Sequence, residues 1–241
     1  MPRLYLFTPP LDDTAAFVPV LERALPAADI AAVLLRLNDA DERALINRIK
    51  TVAAAVQRRD IALLVDGRPE LVARAGADGA HLTGVEALRA ALALLKPDRI
   101  AGVGGLRSRH DAMLAGETEA DYVMFGEPER GPAGQGHGNG PGKNPPFPAV
   151  EERVAWWAEL FQPPCIGYAS SADQIGLLAQ AGADFVALGE WIWSEPTGTE
   201  RVLAAAAQSL AAAAGSWRPR RCAPLQPPRC AALQRRASLP C

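Results

Sequence analysis

Short apolar runs alternate with amphipathic segments along most of the chain. The apolar runs are nearly continuous, which is typical of parallel strands buried on both faces. The predicted strands are Leu4–Phe7, Ala31–Leu35, Ile61–Val65, Ala80–Leu82, Ile100–Val103, Tyr122–Phe125, Cys165–Tyr168 and Phe185–Leu188. The predicted helices are Thr14–Ala27, Ala40–Arg58, Pro69–Ala75, Val85–Leu95, Arg109–Glu117, Ala149–Leu160, Ala172–Ala181 and Gly198–Ala214.

Eight strand–helix units within residues 1–215 predict an α/β fold, a single-domain (β/α)8 TIM barrel. A doubly wound parallel sheet is the alternative architecture. The triplets Gly76-Ala77-Asp78, Glu119-Ala120-Asp121 and Gly182-Ala183-Asp184 each link a helix to the next strand. We interpret them as a repeated structural connector, in which the glycine ends the helix in a left-handed conformation.

Charge is distributed unevenly along the chain. The net charge of the 241 residues is −2, but residues 216–241 contain six arginines and no acidic residue. Residues 1–215 therefore carry 19 basic and 27 acidic side chains, a net charge of −8. We predict an acidic barrel over 1–215 and a basic, disordered tail over 216–241, where five prolines oppose a long helix. The tail could bind RNA or an acidic partner, but we favour a disordered extension and do not expect nucleic acid as a partner.

The chain shows no sign of membrane insertion. No apolar run reaches 18 residues, and the N-terminus leads directly into the first predicted strand, without the pattern of a signal peptide. We therefore expect a cytoplasmic protein with no membrane partner. Assembly into a homo-oligomer is left open.

Active sites of barrels form just beyond the carboxyl ends of the strands. Arg36 and Arg68 follow the second and third strands and could bind phosphate through bidentate hydrogen bonds. Asp66 and Glu86 could jointly hold Mg²⁺, which binds a few carboxylates together with water and phosphate oxygens. His81, within an apolar strand, is either a site residue or a hydrogen-bonded core histidine.

Structural alternatives exist for these assignments. Asp66 precedes Gly67, a common turn pair, and Glu86 suits the first turn of a helix. Gly104 and Gly105 could let a phosphate approach backbone N–H groups, or could simply form a tight turn. The rim also contains Glu127, to which we assign no role, and Glu190, which would weaken anion binding near a phosphate site by like-charge repulsion.

One connection is unusually long. Residues 127–148 contain six glycines and several prolines, and they follow the sixth strand, so they belong to the C-terminal rim. Lys143 is a candidate site residue there. A phosphate-binding P-loop is excluded, because His137 stands where its first glycine belongs and Asn144 replaces the serine or threonine.

Residues 63–71 (LLVDGRPEL) and 76–82 (GADGAHL) resemble thiamine phosphate synthase and its TenI-type relatives. Further matches are residues 4–8 (LYLFT), 120–123 (ADYV) and 182–184 (GAD), in the same order. The resemblance covers residues 3–210 and excludes the tail.

The resemblance implies a (β/α)8 barrel that couples hydroxymethylpyrimidine diphosphate to thiazole phosphate, giving thiamine phosphate and pyrophosphate. It implies Mg²⁺ and small phosphorylated substrates, with ionisation of the diphosphate before the thiazole nitrogen attacks. We assign Arg36, Lys143 and His81 to catalysis, Arg36, Asn38, Arg68, Gly104, Gly105 and Ser170 to phosphate binding, and Asp66 and Glu86 to the metal.

Several positions depart from the family pattern. The Gln-x-Arg-x-Lys segment after the second strand reads Leu34–Asn38 here, so only Arg36 is retained. Lys143 is an unaligned substitute for a lysine of the missing Thr-x-Thr-Lys loop, and the Gly-Gly pair after the seventh strand reads Ala169-Ser170. This degenerate pattern leaves two alternatives to synthase activity: a TenI-like thiazole tautomerase, or a non-catalytic barrel that binds a phosphorylated ligand or partner.

Overall fold

The computed structural model describes residues 1–128, 145–195 and 198–213. The predicted basic tail and Lys143 lie outside the described residues. The strands are β1 Arg3–Phe7, β2 Ile30–Leu35, β3 Ala62–Asp66, β4 Gly79–Thr83, β5 Ile100–Gly104, β6 Tyr122–Phe125, β7 Cys165–Ala169 and β8 Phe185–Leu188. The helices are α1 Thr14–Ala24, α2 Glu42–Gln57, α3 Pro69–Ala75, α4 Val85–Leu95, α5 Arg109–Glu117, α6 Phe147–Leu160, α7 Gln174–Gln180 and α8 Thr199–Ala213.

The eight strands form one closed parallel barrel in chain order. The last strand pairs with the first, with Leu4 opposite Val186 and Leu6 opposite Leu188. The predicted TIM barrel is confirmed, and the alternative of a doubly wound sheet is wrong because the sheet has no open edges. No helix in the described ranges is long and apolar enough to cross a membrane.

Side chains of the strands alternate between two apolar layers. On β1, Leu4 and Leu6 pack outward against the helices, whereas Tyr5 and Phe7 fill the barrel interior. On β6, Val123 and Phe125 likewise point outward, and Tyr122 points inward. This alternation follows from the two-residue period of an extended strand. The interior therefore receives several aromatic rings, which narrow the barrel and leave its polar groups near the carboxyl ends of the strands.

The three repeated triplets perform the same structural task at the opposite, N-terminal end. The backbone N–H of Asp121 donates to the carbonyl of Ala101 (2.9 Å), and its carboxylate accepts from the N–H of Ala101 (2.7 Å). Asp78 forms the same reciprocal pair with Leu63, and Asp184 forms it with Cys165. Each aspartate thus ties the start of an even-numbered strand to the strand before it. The prediction of a structural connector is confirmed, with Gly76 in the left-handed conformation at φ +73°.

Asp121 also forms an ion pair with Lys96, and both side chains are largely buried. We expect Asp121→Ala to lower the free energy of unfolding by about 2–4 kcal/mol, because it removes the acceptor of a buried N–H and leaves Lys96 without its carboxylate. Asp121→Asn retains an acceptor oxygen and should cost about half as much. The measurement is urea unfolding followed by circular dichroism.

Asp98→Ala is the matched control, because Asp98 is an exposed aspartate in the preceding helix-to-strand connection, between α4 and β5. It should change stability by less than about 0.5 kcal/mol. Equal stability of Asp121→Ala and Asp98→Ala would contradict the role of Asp121.

Candidate active site

A small pocket opens among side chains at the carboxyl ends of the strands. Its volume is about 20 Å³, which is room for about one water molecule. Its lining residues are Phe7, Arg36, Asp66, His81, Thr83, Glu127 and Pro128. A larger, open hollow of about 430 Å³ lies beside Arg3 and Asp29 at the N-terminal end. We take the small pocket as the site, because the chemistry of TIM barrels occurs at the carboxyl ends of the strands.

Arg36 lines the pocket and forms ion pairs with two carboxylates. Its Nε lies 3.7 Å from Oδ2 of Asp66, and its Nη1 donates a hydrogen bond to Oε1 of Glu190. The backbone N–H of Arg36 donates to the buried hydroxyl of Thr8 (3.0 Å), which anchors the turn after β2 to β1. Only 16% of the Arg36 side chain is exposed, so both carboxylates serve to balance a charge that burial would otherwise penalise. An anionic ligand therefore has to compete with Asp66 and Glu190 for this guanidinium.

His81 lies beneath the mouth, inside the barrel. It is 3% exposed, and its Nδ1 is 3.0 Å from the hydroxyl of Tyr122, which in turn is 2.9 Å from the hydroxyl of Tyr5. The other ring nitrogen, Nε2, lies 4.0 Å from Oε1 of Glu127, and both residues line the pocket. The histidine is thus both a hydrogen-bonded core residue and a pocket residue, so the two interpretations of its sequence position are compatible.

The glycines after β5 make room for this arrangement. A Cβ on Gly104 would lie 2.3 Å from Oε1 of Glu127 and 2.8 Å from Nε2 of His81. Gly105 has φ +65°, a conformation that disfavours any other residue. The space that a side chain at position 104 would fill is therefore taken by the protein's own polar groups. Phosphate binding at this backbone stays a prediction.

Four of the predicted site residues lie outside the pocket lining and contact neighbouring side chains. The amide of Asn38 donates to Asp12 (2.8 Å), and Arg68 pairs with Asp39. The remaining two are Ser170, whose hydroxyl donates to Gln174 (3.1 Å), and Glu86, which accepts from Arg89 (2.9 Å). They belong to the rim around the mouth, and their roles in ligand binding stay predictions.

Of the predicted metal pair, only Asp66 lines the pocket. The side chain of Glu86 is 87% exposed on the first turn of α4. Within the ranges that the structure describes, no cluster of three or more His, Cys, Asp or Glu residues is arranged to hold a metal ion. A magnesium ion bound largely through substrate phosphates needs only one or two carboxylates, so Asp66 still fits that role.

Two participants, Glu127 and Tyr122, have no role in the sequence-based prediction. Glu127 is placed on the rim by its position after β6, but Tyr122 is assigned only to a strand. The strand's alternation could have placed Tyr122 inside the barrel, since Tyr122 and Met124 share one face. Its contact with His81, 41 residues away in the chain, has no local signal.

Comparisons with known proteins agree with this geometry. The family model described as thiamine monophosphate synthase matches residues 4–192, nearly the whole barrel. The chain belongs to the thiamine monophosphate synthase family. The thiamine-phosphate synthase of Rhodospirillum centenum is 41% identical over 204 residues, covering 84% of this chain and 94% of the relative. That of Hyphomonas neptunium is 35% identical over 87% of this chain and 95% of the relative.

A solved structure supports the fold. The thiamine phosphate pyrophosphorylase from Pyrococcus furiosus superposes with a TM-score of 0.68 at 19% identity, covering 88% of this chain and 96% of that chain. The suspected family is therefore confirmed from sequence, and the barrel is shared with a solved structure. The pocket lined by Arg36 stays the candidate active site, because it lies at the carboxyl ends of the barrel strands.

Glu190 competes with an anion for Arg36, and its side chain is 41% exposed. We expect Glu190→Gln to tighten the binding of pyrophosphate, used as a probe anion, by about threefold to fivefold, as expected for an ion pair worth about 1 kcal/mol. Isothermal titration calorimetry measures this. Glu117→Gln, which removes an equal charge from an exposed position at the end of α5, should leave the affinity nearly unchanged. Weaker binding by Glu190→Gln would show that Glu190 assists the anion instead.

Proposed function

We propose that this protein is a thiamine-phosphate synthase that couples hydroxymethylpyrimidine diphosphate with thiazole phosphate, forming thiamine phosphate and pyrophosphate. The observation that carries the proposal is the guanidinium of Arg36 at the pocket mouth of a barrel whose relatives, matched over 94–96% of their length, are thiamine-phosphate synthases. The similarity to synthases supports this activity over a thiazole tautomerase or a non-catalytic barrel.

Arg36 is placed to act on the leaving group. In the proposed reaction, the bond between the pyrimidine methylene carbon and the diphosphate oxygen breaks, and its electron pair leaves with pyrophosphate. The lone pair of the thiazole nitrogen then forms the new carbon–nitrogen bond. A guanidinium can bind the diphosphate oxygens through two parallel hydrogen bonds, so Arg36 would stabilise the charge that develops on them. Lys143 is proposed as a second cation.

Asp66 and Glu86 are proposed to hold Mg²⁺ together with the diphosphate. The bound ion would supply further neutralisation of the leaving group. The resulting partners are two small phosphorylated substrates and the metal. A cytoplasmic location stays a prediction, which cell fractionation would test. A homo-oligomeric state also stays a prediction, which size-exclusion chromatography with light scattering would test.

The first test is thiamine phosphate formation by purified full-length protein with both substrates and Mg²⁺. Arg36→Ala should lower kcat by about 100-fold to 1,000-fold, as does loss of one donor that stabilises transition-state charge. Arg36→Lys should retain part of the activity, because it keeps the charge but not the bidentate geometry.

Arg74→Ala is the matched control, since Arg74 is an exposed arginine in the last turn of α3 that pairs with Glu42 away from the pocket lining. An unchanged kcat in Arg36→Ala would contradict the role of Arg36. Absence of product, under conditions where the Rhodospirillum centenum synthase turns over, would contradict the proposed function itself.

A second test addresses the metal. We expect a chelator to abolish turnover, and Asp66→Asn to raise the Mg²⁺ concentration needed for half-maximal rate by at least about tenfold, as expected for loss of a ligand. Glu86→Gln should raise it less, because its carboxylate is mostly solvated. The measurement is initial rate against Mg²⁺ concentration. An identical Mg²⁺ dependence in the parent and Asp66→Asn would contradict the assignment of Asp66.

A further inference from the structure

Three polar groups form a continuous hydrogen-bonded series inside the barrel. Tyr5 comes from β1, Tyr122 from β6 and His81 from β4, and they are 1%, 0% and 3% exposed. The Tyr5 and Tyr122 hydroxyls are 2.9 Å apart, and the Tyr122 hydroxyl is 3.0 Å from Nδ1 of His81. The series begins in the buried interior and ends at His81, which lines the pocket and whose Nε2 lies 4.0 Å from Oε1 of the lining residue Glu127.

Both tyrosines keep their hydrogens. Burial raises the pKa of Tyr5 and of Tyr122 well above the ordinary value for a phenol. Each hydroxyl therefore has one hydrogen to donate, and a buried donor without an acceptor is costly. In the part of the chain that the structure describes, Tyr5 has no hydrogen-bond partner other than Tyr122, and Tyr122 has none other than Tyr5 and His81.

Only one direction of hydrogen-bond donation along the series gives the hydroxyl hydrogens of both tyrosines an acceptor. If Nδ1 of His81 carried a hydrogen, it would donate to Tyr122, Tyr122 would donate to Tyr5, and the hydrogen of Tyr5 would have no acceptor. A doubly protonated imidazole meets the same difficulty. In the opposite direction, Tyr5 donates to Tyr122, Tyr122 donates to a bare Nδ1, and the hydrogen of His81 resides on Nε2.

We propose that Tyr5 and Tyr122 hold His81 in the neutral Nε2–H tautomer, so that the imidazole presents a hydrogen-bond donor to the pocket, with Tyr122 as the positioning residue. The donor lies beside Gly104, 4.0 Å from the buried Oε1 of Glu127. It suits an acceptor atom of a ligand, such as a ring nitrogen or a phosphate oxygen. It cannot take up a proton at Nε2, which excludes His81 in this form from acting as a general base at the pocket.

The neighbouring strand β5 leaves room for the ring of Tyr122. A Cβ on Gly102 of β5 would lie 1.9 Å from Cζ of Tyr122, so the ring fits only because this residue is glycine. The rings of His81 and Tyr122 are nearly parallel, at 12° with centroids 5.8 Å apart. The Tyr122 ring thus packs alongside the imidazole of His81, and neither ring can turn without displacing the other.

Nitrogen-15 spectra of the full chain with labelled histidine test the tautomer without any need for turnover. His81→Gln assigns the His81 signals, and the other two histidines of the sequence serve as internal references for folding. We expect a bare Nδ1 and a protonated Nε2 in the parent. A protonated Nδ1 in the parent would overturn the proposal.

Two variants with the same chemical change separate the role of Tyr122 from general packing. In Tyr122→Phe, Nδ1 loses its donor, so its signal should shift away from the parent position. In Tyr5→Phe, Tyr122 still donates to Nδ1, so the signal should stay close to the parent position. Equal shifts in the two variants would contradict a specific role of Tyr122.

The catalytic consequence rests on the proposed synthase activity. We expect Tyr122→Phe to lower kcat/KM by up to about a hundredfold, because the donor is no longer fixed, and Tyr5→Phe to lower it by no more than about threefold. The two hypotheses fail separately. An inactive parent with a bare Nδ1 contradicts the synthase proposal alone, whereas an active parent with a protonated Nδ1 contradicts only the tautomer.

Discussion

Closure of the sheet between β8 and β1 is the constraint from which the rest of the structure follows. Once Leu4 pairs with Val186, the strand number and radius are set, and every inward side chain must share a narrow interior. Aromatic rings on neighbouring strands then leave space only where another strand supplies a small residue. Gly102 does so for the ring of Tyr122, and Gly104 for the polar groups around His81. The buried hydrogen-bonded series is therefore a product of barrel geometry as much as of residue type.

The two ends of the barrel use carboxylates in opposite ways. At the N-terminal end, the carboxylate of Asp121 accepts from a backbone N–H and pairs with Lys96, which ties strands together. At the C-terminal end, Asp66 and Glu190 pair with Arg36 across a pocket mouth. A ligand can replace those carboxylates, because a diphosphate offers the guanidinium the same kind of acceptor with more charge. Carboxylates thus tie strands together at one end of the barrel, and at the other end they occupy the guanidinium that the proposed diphosphate ligand would bind.

In the proposed function, Glu190 would compete with the substrate diphosphate for Arg36. The acidic body of the chain, with a net charge of −8 over residues 1–215, already disfavours phosphorylated ligands at long range. Arg36 supplies local attraction, and part of that attraction is neutralised by Glu190 in the structure. A divalent cation bound with the substrate would offset this negative charge. Because the mouth has few basic groups, this is a physical reason for the proposed use of Mg²⁺.

The sequence alone determined the element order and the barrel, because hydrophobic period and helix ends are local properties of the chain. It also indicated the family, through the resemblance carried by residues 63–71 and 76–82. Predicted β4, Ala80–Leu82, differs from the observed Gly79–Thr83 by one residue at each end, and Arg36 was recognised because a charge directly after a buried strand needs a partner. Only the tertiary structure decided which partners meet. Glu190 reaches Arg36 across 154 positions, and Tyr122 reaches His81 across 41, while Glu86 stays in solvent. Such contacts depend on strand register and barrel radius. These are set by pairing between segments far apart in the chain, so the hydrophobic pattern of neither segment predicts the contact.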